Sequence, residues 1–91
     1  MAVRVRIPTS MQQITKGEIE VEASANNIKE LVENLDKQYT GIKERIYGEG
    51  GQIYKFINIY VNKENIRVLQ QDDTPLSEGD EVDIVVAVPG G

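Results

Sequence analysis

The chain contains no cysteine and no histidine. Without thiol or imidazole, no Cys–His pair, Ser–His–Asp triad or Cys/His zinc site can be built. No disulfide or structural zinc supports the fold either. Stability must come from the core, and at the usual value per residue it is about 5–14 kcal/mol for a chain of this length. Basic residues are in deficit, with 10 Lys and Arg against 15 Asp and Glu and a net charge of −5. A surface with that balance repels phosphate, which argues against nucleic acid or an anionic membrane as partner. Long apolar runs are missing as well. The opening "MAVRVRIPTS" has arginines but no apolar stretch of signal-peptide or membrane-span length behind them, so a cytoplasmic protein is expected.

What is present is patterned. Val3, Val5 and Ile7 alternate with Arg4 and Arg6, the period of a half-buried strand. Ile19, Val21 and Ala23 alternate with Glu18, Glu20 and Glu22, which predicts a second strand with all three apolar residues facing the core. An antiparallel hairpin with its loop through Pro8 to Gly17 would set glutamates opposite Arg4 and Arg6. The period then becomes helical: Ile28, Leu31, Val32, Leu35 and Tyr39 form one stripe, which predicts a helix over about 28–39. Asn27 with Glu30 reads as a capping box and Gly41 as a left-handed terminator, with one further short helical turn in "IKERIY".

Beyond the loop "GEGGQ", the stretch "IYKFINIYVN" predicts a third strand with Ile57, Ile59 and Val61 on one side and Phe56, Asn58 and Tyr60 on the other. "KEN" reads as a turn into a short strand over 66–69, and "QQDDTPLSEGDE" as a surface connection. "EVDIVVAV" is the last strand, with Val82, Ile84, Val86 and Val88 inward and Asp83, Val85 and Ala87 outward. The order β-β-α-β-β-β, with a final strand returning parallel to the first, is an α+β fold of the β-grasp type: a mixed sheet of about five strands with one main helix on one face. One domain is expected over residues 1–88, with 89–91 a flexible tail.

Two features invite a site and fail on context. "GEGGQ" lacks the Lys-Ser/Thr and the following helix of a phosphate-binding loop, so it reads as a mobile loop. Asp72, Asp73, Glu78, Asp80, Glu81 and Asp83 lack calcium-loop spacing and read as a solvated acidic surface, so no metal site is expected.

The last residues are "VPGG". Glycine packs nothing at a terminus, so a closing Gly90-Gly91 needs another reason. Together with the "LSEGDEVDIVVAV" segment and "FINIYVN", it makes the chain resemble the ubiquitin-like sulfur-carrier proteins, which include the molybdopterin synthase small subunit and the thiazole-synthesis carrier. "IPTS", "YTGIKERIY" and "FINIYVN" are most similar to the carriers that serve cysteine synthesis.

The resemblance implies a non-enzymatic protein whose Gly91 carboxylate is the modified group. It binds no cofactor itself: a ubiquitin-activating-like adenylyltransferase/sulfurtransferase uses ATP to adenylate Gly91, and a sulfur donor converts it to a thiocarboxylate. The acceptor would be an enzyme of the cysteine synthase type or, in the alternative branch, the molybdopterin synthase large subunit. Gly90 is then the slender residue that follows Gly91 into a narrow channel, and Pro89 the stiffener that fixes the exit direction.

The same family docks partners on the outward face of the sheet, which here would carry Arg4, Arg6, Tyr60 and Val85, with Phe56 and Arg67 as candidates beside them. The two arginines either meet an acidic partner or neutralise Glu18, Glu20 and Glu22. They are a departure from the more apolar face of the molybdopterin branch. A protein modifier, transferred to lysine as an isopeptide, and an adaptor with an inert tail are the rivals from other classes.

Overall fold

Alternation in the first residues builds β1 (Ala2–Arg6), and the glutamate-bearing strand β2 (Glu20–Ser24) lies antiparallel to it in the computed structural model, which describes residues 2–87. Arg4 faces Glu22 and Arg6 faces Glu20 across this pair, as the hairpin reading requires. Val21 and Ala23 are buried, whereas Ile19 is 65% exposed. Ile19 lies before the strand begins, in the bend where its carbonyl accepts the Ile7 N–H at 2.8 Å, so the alternation does not carry its side chain inward.

Helix α1 (Ile28–Gln38) follows and buries Ile28, Leu31, Val32 and Leu35. Its cap is close to the expected box. Asn27 Oδ1 accepts the Glu30 N–H at 2.8 Å, but Glu30 Oε1 accepts from the Asn26 N–H at 3.1 Å, one residue earlier than a standard box. Replacing Asn27 with alanine is expected to cost about 1 kcal/mol, or about 4–8 °C in thermal midpoint, as checked by calorimetry. Gly41 has φ +105°, a region open to glycine, and turns the chain into the short helix α2 (Ile42–Ile46). Asp36 Oδ1 accepts the Gly41 and Lys43 N–H groups at 3.0 and 3.1 Å and fastens this corner.

Strand β3 (Ile57–Val61) buries the three residues expected of it. The chain then turns earlier than "KEN" suggests. Asn62 and Lys63 have φ of +50° and +74°, the two-residue hairpin turn whose twist matches that of the strands, and β4 is only Glu64–Asn65. The strand expected over 66–69 is instead a 3-10 turn at Ile66–Val68, opened by Asn65 accepting the Arg67 N–H at 2.9 Å.

The connection that follows is more than surface: Thr74 and Leu76 are buried. The Ile28 N–H donates to Thr74 C=O at 3.2 Å, and the Leu76 N–H to Asn26 C=O at 2.9 Å, which pins this segment to the start of α1. The Tyr47 hydroxyl donates to Asp72 at 3.1 Å, and burial first, then the Asp72 carboxylate, pushes the phenol well above its ordinary value.

Strand β5 (Glu81–Val86) closes a five-stranded sheet in the order β2-β1-β5-β3-β4. It runs parallel to β1 and antiparallel to β3. α1, α2 and the inward residues of β1, β2, β3 and β5 form one apolar cluster, leaving the opposite sheet face to solvent. Among the described residues, no helix is long and apolar enough to cross a membrane.

Candidate functional site

The central strand of this sheet is the one that leads on to residues 88–91. Gly91, Gly90 and Pro89, and the expected inward position of Val88, lie outside the described residues. What the structure supplies is the platform before them. β5 is held on both sides, by β1 through Arg4–Arg6 and by β3 over its whole length, and the Ala87 N–H donates to Phe56 C=O at 2.7 Å.

Arg4, Arg6, Tyr60 and Val85 do share the face away from the helices. Arg6, Asp83 and Tyr60 form one row across β1, β5 and β3, and Val85 lies opposite Asn58 in the next row but one. The two arginines divide their attention. Arg4 Nε lies 3.9 Å from Glu20, whereas Arg6 Nε lies 3.6 Å from Asp83 of β5. Hairpin glutamates therefore account for only one of them. Both arginines are about two-thirds exposed, and ion pairs of that kind contribute about 0–1 kcal/mol, so either can exchange its partner at little cost.

Arg67 has another task. Its Nη2 donates to the carbonyls of Tyr54, Lys55 and Ile57 at 3.3, 3.4 and 2.7 Å, and its Nε to Asn58 Oδ1 at 3.4 Å. The guanidinium fork thus clamps the entry to β3 rather than standing ready for a partner.

Phe56 is 42% exposed and stacks on Tyr54, with ring centroids 4.8 Å apart and planes 17° from parallel. Composition along the strand marks Phe56; the stack itself is not visible in the sequence, because Tyr54 is positioned by the preceding loop. That loop closes on itself, with the Gly48 N–H donating to Gln52 C=O at 2.8 Å and the Tyr54 N–H to Ile46 C=O at 3.0 Å. A Cβ on Gly48 would come within 3.0 Å of Tyr54 Cε1, so glycine there lets the ring lie flat against the loop. "GEGGQ" is thus a packing device for an aromatic pair beside the end of β5. Val85, on the outward face of β5, is likewise 42% exposed.

The acidic segment also has internal work. Asp80 accepts the Ser77 N–H at 2.8 Å and the Asn62 side-chain amide at 3.0 Å, shaping the turn that feeds β5.

This arrangement has close counterparts. The chain aligns end to end with sulfur carrier protein CysO of Mycobacterium tuberculosis, 38% identical over 93 residues and covering 100% of each. A chain of the Amycolatopsis orientalis BexX/CysO complex superposes with a TM-score of 0.92 at 36% identity, over 98% of this chain and 99% of that one. Small archaeal modifier protein 1 from Methanosarcina acetivorans superposes at 0.85 with 27% identity, over 99% and 96%. The ThiS family model matches residues 5–91, from the first strand through both final glycines. β5 runs parallel to β1, as the sequence pattern implied, and the chain belongs to the ThiS family, whose ubiquitin-like sulfur carriers it resembles.

Proposed function

We propose that this protein carries sulfur on Gly91 for cysteine biosynthesis, as the substrate of partner enzymes rather than as a catalyst. The observation that carries the reading is the family match through Gly91 on a chain whose central strand, β5, is the last before that residue. An α-carboxyl group has a pKa of about 3.5, so at neutral pH it is an anion and a poor electrophile. A carboxylate oxygen attacks the α-phosphorus of ATP on an adenylyltransferase and pyrophosphate leaves. A sulfur nucleophile then attacks the activated carbonyl and AMP leaves, with the sulfur retained as a thiocarboxylate. This chain's contribution is to present the group: β5 precedes the tail in the sequence, the exposed Tyr54, Phe56 and Val85 offer apolar area, and Arg4 and Arg6 supply exchangeable charge. End-to-end similarity to CysO favours cysteine synthesis over the molybdopterin branch.

The test is the intact mass of the protein recovered from its own host, with and without a thiol-alkylating reagent. Since the chain has no cysteine, a single rapid alkylation on a species heavier by the exchange of oxygen for sulfur reports the thiocarboxylate directly. A protein that stays unmodified after incubation with host extract, ATP and sulfide would sink the proposal. The likeness to an archaeal modifier keeps one rival specific: isopeptide-linked species in extract would assign protein conjugation instead.

A further inference from the structure

The sheet has an open half-edge beside the end of β5. In the β3–β5 ladder, Asn62 N–H bonds Glu81 C=O and Ala87 N–H bonds Phe56 C=O. Odd-numbered β5 residues therefore exchange both bonds with β3, and even-numbered ones direct their N–H and C=O toward β1. On that side the register pairs Arg6 with Asp83, so the Ile84 N–H is taken by Arg6 C=O. The next donor in the parallel ladder would be residue 8, and residue 8 is proline, which has no N–H. β1 stops there and the chain leaves into a 3-10 turn at Thr9–Met11. Ile84 C=O and Val86 N–H thus face a groove between β5 and the Pro8–Ser10 wall, and among the described residues neither has a hydrogen-bond partner. The Thr9 and Ser10 hydroxyls on that wall, and Lys63 at the rim, are likewise unbonded there.

We propose that this groove receives an extended, acidic segment of the enzyme that activates Gly91, which adds a short strand in the place that Pro8 denies to β1. The inference rests on the carrier reading above. Two features select the occupant. The groove floor is β5, and Gly91 follows Val86 by only five residues, at most about 18 Å of chain, so a protein that holds Gly91 is within reach of the groove. With Arg6 and Asp83 offsetting each other, the charge left at the rim is the positive Lys63, which suits an acidic side chain on a chain that is otherwise net negative. The incoming strand donates a main-chain N–H to Ile84 C=O and accepts from Val86 N–H, the β-augmentation mode of recognition.

The experiment is amide hydrogen exchange on the full chain, alone and with the adenylating enzyme purified from its own host, beside adenylation kinetics of two variants. Alone, the Val86 amide is expected to exchange quickly while Val85, bonded to β3, is protected; in the complex, Val86 slows by about tenfold or more. Val86→Pro removes the N–H without breaking a ladder bond and is expected to raise KM for adenylation by about tenfold at unchanged kcat. Val86→Ala, which trims the side chain but keeps the N–H, is expected to leave KM near wild type, separating the hydrogen bond from packing. If the enzyme adenylates the chain while Val86 stays unprotected and Val86→Pro keeps its KM, the docking proposal falls and the carrier reading stands. If it neither adenylates nor protects, both fall. Protection of Val86 in the concentrated free chain would assign the edge to self-association and overturn the partner assignment.

Discussion

A chain shortened by Gly90 and Gly91 is expected to fold with unchanged stability and to take up no sulfur at all. The stability half follows from where the burial lies: the core residues of β5 are Val82 and Ile84, and among the described residues the ladder partners of that strand lie in β1 and β3. The loss follows from reach. Two residues of extended chain span at most about 7 Å, so truncation withdraws the carboxylate by roughly that distance from a centre where reacting atoms must approach to about 3–3.5 Å. A misplacement of about 1 Å can cost about 100-fold in rate, so a withdrawal of several ångströms leaves nothing measurable. Gly90→Val keeps the length and adds a branched side chain to the segment proposed to enter the partner. It is expected to cut thiocarboxylate yield strongly while leaving binding to the sheet face intact. Intact mass after incubation with the activating enzyme, ATP and sulfide reads both variants, and thermal melting reads the fold. If the truncated protein still supports sulfur transfer, the tail is inert and an adaptor explains the chain better.

Elements whose apolar period meets a continuous core were legible in the sequence; those decided by a turn were not. Val3, Val5 and Ile7, the Ile28–Leu35 stripe and Ile57, Ile59 and Val61 all face one apolar cluster, so period alone placed them. Ile66 and Val68 show the same alternation, yet Ile66 is buried and Val68 is 78% exposed because the chain had already turned at Asn62-Lys63. Reading Asn62 as a residue that tolerates positive φ would have started that turn one residue upstream. Ile19 misled in the same way, one position outside its strand.

The candidate site divides similarly. Alternation put Arg4, Arg6, Tyr60 and Val85 on one face. The Arg6–Asp83–Tyr60 row depends on the β1–β5 register, which no local pattern specifies. Arg67 looks like surface charge until its four acceptors are known. Pro8 was visible from the start as the residue that ends an alternating run, but its consequence appears only once β5 is seen beside it.

Replacing Leu35 with alanine is expected to be the most damaging conservative change in the fold. Leu35 is fully buried in the middle of α1, within the cluster that joins the helix to the sheet. Truncating such a leucine costs about 2–5 kcal/mol, from the lost transfer energy and the cavity left behind. That is a large share of the stability available to a chain with no disulfide, and at about 3 kcal/mol the thermal midpoint falls by about 12–24 °C. Val68→Ala, at a position 78% exposed, should change stability by less than about 0.5 kcal/mol. The functional consequence separates platform from tail. Leu35→Ala leaves Gly91 and the sheet face chemically intact, so at low temperature each folded molecule is expected to accept sulfur at the wild-type rate. On warming, loading should fall in step with the unfolding curve. The diglycine truncation is expected to show the opposite behaviour, with a wild-type melting curve and no loading at any temperature. If Leu35→Ala instead lost loading while still fully folded, the helix would have to act on the partner itself, and the division of labour between a supporting core and a reacting tail would be wrong.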